Sequence, residues 1–178
     1  MQIARKLVFL AIVLASLALA TQPESGAPQK PSQKDNRQFS LLKGEMNGRP
    51  FFAIIASDLK TYPPKSKFPW FLSLSTPLIG PTADGLPQGE DFAALNAWED
   101  EMETQVAKLG KYFYVGHVNW NGSREALFYL EKPEPVVTAL TKVRDSHSTR
   151  RFDVHCEKDK EWKKVSHYIG TVTPDSPK

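Results

Sequence analysis

Two Asn-Gly pairs constrain this chain more than any other feature. Asn47-Gly48 lies between the alternating runs 39–45 and 50–56, and Asn121-Gly122 between 112–120 and 125–130. A two-residue hairpin turn needs positive φ at both central positions, which Asn and Gly tolerate, so each pair predicts a β-hairpin. Residues 68–75 alternate as a further strand, with Trp70, Leu72 and Leu74 against Phe71, Ser73 and Ser75. Residues 90–109 predict the longest helix. Phe92, Leu95, Trp98, Met102, Val106 and Leu109 recur every three or four positions, acids open the segment and Gly110 ends it. A shorter helix is predicted over 133–143, then a strand over 150–156 and a closing helical turn over 157–168.

From residue 68 onward the order is strand, helix, strand, strand, helix, strand. The expected class is α+β, a ferredoxin-like split βαββαβ antiparallel sheet with an extra N-terminal β-hairpin. In that arrangement 68–75 and 125–130 are the central strands. The hairpin either lengthens the sheet or covers its open face. Along 112–120 one face carries Tyr112, Tyr114, Val118 and Trp120, the other Phe113 and Val115. Two helices cover one face only. The second needs cover from the chain itself, from a second copy in a homodimer, or from a ligand.

The ends carry no fold signal. Residues 1–20 read as a cleavable signal peptide: Arg5 and Lys6, an uncharged stretch, then Ala18-Leu19-Ala20. The apolar run falls short of the roughly 20 residues that span a bilayer, so no stable membrane anchor is expected after cleavage. Residues 21–38, with Pro23, Pro28 and Pro31, predict a disordered Pro-rich spacer, and 171–178 a loose tail. A single α+β domain over 39–170 remains, and a periplasmic or secreted location follows. Removing Arg5 and Lys6 from the net charge of +3 leaves the mature chain near +1. Such a chain has no electrostatic reason to seek nucleic acid or anionic lipid. The one cysteine, Cys156, cannot form an internal disulfide, so an apolar core must hold the fold.

Reactive constellations are sparse. His117, His147, His155, Cys156 and His167 lack metal-ligand spacing, His117 and His155 being assigned to opposite sheet edges. Neither metal nor other cofactor is expected. Cys156 alternates with Phe152 and Val154 as a core residue. No nucleophile elbow or phosphate-cradling loop is present. Glu99, Asp100, Glu101 and Glu103 read as a solvated helix surface. The 124–130 strand lacks the aromatic signature of an RNA-recognition module.

Several short motifs follow one another in a recognisable order. They are Pro69-Trp70, Gly85-Leu86-Pro87, Glu99-Asp100, Tyr114-Val115-Gly116-His117-Val118, Gly122-x-Arg124-Glu125 with Phe128-Tyr129, and Asp159-x-x-Trp162. In these the stretch 68–168 resembles the bacterial family catalogued as domain of unknown function 695. The resemblance implies a compact α+β domain with no established activity or catalytic residues. It also implies a fold related to the ribonuclease-regulator B-type proteins. Their function does not carry over, because they act on a cytoplasmic enzyme.

The resulting expectation is an exported, non-catalytic binding module whose partner is a protein or a small molecule. Arg124, Glu125, Trp120, Gly85 and Pro87 are its candidate binding residues. Arg124 is either the solvated end of a strand or an anchor for an acidic partner group beside Trp120 and the Gly85-Leu86-Pro87 loop. The alternative is a hydrolase-like enzyme in which a carboxylate such as Glu125 acts near Arg124. A strongly perturbed carboxylate in a deep pocket would favour the enzyme. A shallow aromatic patch without one would favour the binder.

Overall fold

Both Asn-Gly pairs turn hairpins in the computed structural model, which describes residues 37–61, 65–147 and 150–169. The expected signal peptide, the spacer up to residue 36 and the C-terminal tail lie outside the described residues. Asn47, Gly48, Asn121 and Gly122 all take positive φ, at 54°, 71°, 49° and 79°. The first hairpin joins β1 (Phe39–Met46) to β2 (Arg49–Ala56), and the second joins β4 (Tyr112–Trp120) to β5 (Ser123–Leu130). Between them lie β3 (Trp70–Pro77) and α1 (Asp91–Leu109). After them come α2 (Val136–His147), β6 (Asp153–Lys158) and the short α3 (Ser166–Ile169).

The fold is α+β, with one six-stranded antiparallel sheet in the order β1-β2-β4-β5-β3-β6. Residues 39–56 lengthen this sheet. Because β2 pairs with β4, His117 is not on an edge strand, a correction to the sequence expectation. His117 and His155 differ in depth too, the first buried and the second exposed.

The sheet is buried on two sides. Trp98, Met102 and Val106 of α1 and Leu140 of α2 pack on Leu72, Leu74, Tyr112, Tyr114 and Phe128. On the second side Trp162, Val165 and Tyr168 close over Phe71, Phe113, Leu127 and Tyr129, with Leu59. Each such aliphatic or aromatic side chain contributes about 1.5–3 kcal/mol on burial. Trp162 stacks on Tyr129 at 4.0 Å between ring centroids, and its indole N–H donates to the Phe68 carbonyl at 2.9 Å. Asp159 ties down the closing turn, accepting from the Tyr129 hydroxyl at 2.6 Å and from the Lys163 and Lys164 amides at 2.9 Å. The chain's own C-terminal segment therefore covers much of the second face.

Strict alternation fails in β4. A bulge falls between Tyr114 and Gly116, so Tyr114 pairs with Phe128 while Gly116 pairs with Leu127. An extra residue in one strand turns every later side chain to the opposite face. Val118 and Trp120 join the cluster of Phe113 and Val115, not that of Tyr112 and Tyr114. Gly116 adopts φ +136°, and a Cβ there would stand 1.9 Å from the Ile54 carbonyl oxygen. The bulge requires glycine. Phe92 also departs from the expected inward helix stripe: it is 41% exposed and stacks on Phe52 of β2.

Candidate functional site

The bulge decides which polar groups meet. Beyond it, His117 and Asn119 turn toward α1, opposite Ala126 and Arg124 on β5. There they meet Glu99, which is 1% exposed. Glu99 takes the His117 ring nitrogen Nδ1 at 2.9 Å, the Arg124 guanidinium at 3.4 Å and the Tyr114 hydroxyl. Arg124 is fully buried, and its fork also donates to Asn119 Oδ1 at 2.9 Å and Asn96 Oδ1 at 2.8 Å. Burial pulls the Arg124 guanidinium down, and the Glu99 charge opposes that. Burial, then the charge and hydrogen bond of Glu99, push the Tyr114 phenol well above its ordinary value. Glu103 is buried as well, accepting from the Tyr112 hydroxyl at 2.8 Å.

Two expectations are corrected here. Glu99 and Glu103 are not a solvated surface, although Asp100 and Glu101 are exposed. Arg124 is not a solvated strand end and does not reach a partner from this face, because it is fully buried with its Nε and Nη1 donating inside the fold. A second buried pair flanks this cluster: Arg150 Nη1 donates to Asp91 Oδ1 at 2.6 Å and Arg150 Nε to the Thr76 hydroxyl at 2.9 Å.

The opposite face of the sheet offers an open groove of about 290 Å³, walled by Trp120, Glu125, His155, Glu157, Lys164 and Tyr168. Register builds it. Glu125 faces away from Arg124, its neighbour in the chain, and pairs across the sheet with Val118. The Ser73 hydroxyl of β3 donates to the Glu125 carboxylate. His155 stands opposite Ser73 on β6, and Lys164 comes from the closing turn. Lys164 Nζ lies 2.7 Å from Glu157 and His155 Nε2 lies 2.9 Å from it; together they hold the Glu157 carboxyl below its ordinary value. Burial, with the nearby Glu125 charge, raises the Tyr168 phenol. Burial lowers His167, which also lines the groove. The Trp120 indole is fixed by donation to the Met46 carbonyl at 3.0 Å.

Of the five candidate residues, the structure brings Trp120 and Glu125 into this groove. Arg124 lies behind the sheet. Gly85 and Pro87 are buried in a loop docked on the second hairpin turn, where the Gly122 amide donates to the Gly85 carbonyl at 2.8 Å. A Cβ on Gly85 would stand 2.9 Å from the Gly122 nitrogen, so this glycine serves the docking. Sequence reasoning missed Glu157, Lys164 and Tyr168. The outward alternation of His155 was the available signal for that side; the path of the closing turn had none.

Among the described residues, no three His, Cys, Asp or Glu side chains gather as metal ligands. Burial pushes the Cys156 thiol up to about 11, which leaves little thiolate at neutral pH. No curated protein and no solved structure matches the chain. The model of the Family of unknown function (DUF695) matches residues 39–168, most of the chain. By that match, which covers every strand and both long helices, the chain belongs to the DUF695 family.

Proposed function

We propose that this protein is an exported, non-catalytic binding module that uses the groove on the second face of its sheet to hold a small ligand. The observation that carries the reading is the composition of that groove. Aromatic walls on fixed backbone surround a carboxylate, and the groove's second carboxylate is matched by Lys164 and His155. Binding sites combine apolar walls with a few placed polar groups in this way. The hydrolase alternative loses support because Glu125 and Arg124 face opposite sides of the sheet. Glu157 is held down by its partners, the reverse of a carboxyl tuned as a general acid. Export is supported by the residue 1–20 pattern and would leave Thr21 as the N-terminus, which sequencing of the purified mature protein reads directly.

We further infer a ferredoxin-like frame for residues 70–158. The support is the sub-order β4-β5-β3-β6, with α1 between β3 and β4 and α2 between β5 and β6. In this reading the N-terminal hairpin adds two strands beyond β4 and builds one rim of the groove through Met46.

The test is a thermal-shift screen of small molecules against the mature chain and its Trp120→Ala variant. A binding module raises Tm with a subset of compounds and returns them chemically unchanged. That rise disappears in Trp120→Ala. Conversion of a compound, or rises that persist in the variant, would contradict the reading.

A further inference from the structure

The two carboxylates of the groove are not equivalent. Glu157 has Lys164 and His155 within 3 Å. Glu125 has the Ser73 hydroxyl, and among the described residues no cationic side chain lies within 4.0 Å of it. An ionised carboxylate offers about four acceptor sites, and one hydroxyl leaves most of them to solvent or to a ligand. The Ser73 bond also fixes where that charge points, since Ser73 sits on β3, which is paired on both sides, and is 4% exposed. Phe71, Trp120 and Tyr168 stand in the same groove. Aromatic rings attract cations through their negative faces, most strongly for Trp, and a nearby carboxylate adds to that attraction.

We infer that the groove takes a small organic cation, an ammonium group carried on a compact apolar body, with the charge on Glu125 and the body against Trp120 and Tyr168. The inference rests on the groove being the binding site. An anion would meet the Glu125 charge, and Lys164, which that charge also reaches, is paired directly with Glu157. A neutral molecule would desolvate the Glu125 carboxylate without giving it a partner, which costs binding. The groove's 290 Å³ is at the small end for ligand sites and suits one ring or a short chain.

Calorimetric titration of the mature chain at pH 7 with benzyltrimethylammonium, benzyl alcohol and benzoate separates charge from shape. The ammonium should bind about tenfold tighter than either companion and perturb Trp120 fluorescence. Glu125→Gln keeps the side chain's size and its bond to Ser73 and should erase that preference. Binding of benzyl alcohol or benzoate as tight as the ammonium, with a Trp120 response, would overturn the cation inference and leave the groove reading standing. A preference that survives Glu125→Gln would overturn it as well. Silence with all three probes would overturn the inference and count against the groove itself.

Discussion

Arg124 shows how a single side chain changes meaning between sequence and structure. A charged residue directly after a hairpin turn is ordinarily solvated, and nothing within six residues of it names Glu99 as its partner. That pairing depends on α1 crossing the sheet at one height and on the bulge that turns Asn119 inward. The partners have a measurable consequence. Removing one member of a buried ion pair leaves the other charged and unmatched, at about 3–5 kcal/mol. Arg124→Met should therefore lower unfolding stability by about that amount in urea titrations. The double variant Arg124→Met with Glu99→Gln should recover part of the loss, because the stranded charge is gone. Arg124→Lys, which cannot reproduce the fork to Asn119, Asn96 and Glu99, should also be destabilised.

At the scale of elements, most strands and both long helices were legible, because alternation, helical spacing and turn chemistry are local. The Asn-Gly turns and Gly110 fixed several boundaries to within a residue or two. The helix stripe was right for Trp98, Met102 and Val106 and wrong for Phe92, which reaches out to Phe52 of the added hairpin. What local pattern could not reveal was the bulge, since one inserted residue leaves the composition of β4 unchanged while reversing its later half. Gly116 is the residue on which this turns. Gly116→Ala places a methyl against the Ile54 carbonyl at a φ that alanine avoids, and should cost about 3 kcal/mol or more by urea unfolding. Gly110→Ala is the matched control. Its backbone is extended and its Cβ would meet Val136 at an ordinary 3.7 Å, so stability should change by no more than about 0.5 kcal/mol.

At the scale of the whole molecule, the sheet separates two kinds of polar chemistry. Groups on the α1 side are buried and largely paired with one another, the Trp98 Nε1 and Asn119 Nδ2 atoms excepted, and they hold the fold. Those on the second side border an open groove. The family resemblance pointed to the fold's extent, but no local motif could distinguish the two faces. The buried acids give the molecule a pH dependence of definite sign. Burial alone would raise Asp91, but Arg150 and the Ile79 amide outweigh it and hold the carboxyl below its ordinary range. Asp159 is likewise lowered by Tyr129 and the Lys163 and Lys164 amides against burial. A folded-state value below the unfolded one contributes stability above the unfolded value, and that stability is lost as pH falls through the folded one. Urea midpoints should therefore hold steady near neutrality and drop below about pH 4. An Asp91→Asn, Asp159→Asn variant should start less stable and show a flatter acid limb.

The groove assignment is tested most directly by mapping amide and indole chemical shifts of the protein as a stabilising compound is titrated in. Adjacent residues act as internal controls, because Glu125 and Trp120 face the groove while Arg124 and Asn119 face α1. The account predicts shifts concentrated at Trp120, Glu125, Glu157 and Tyr168, with the side chains of Arg124 and Asn119 unmoved. Shifts centred on Glu99 and Arg124, or on the Gly85-Leu86-Pro87 loop, would contradict it.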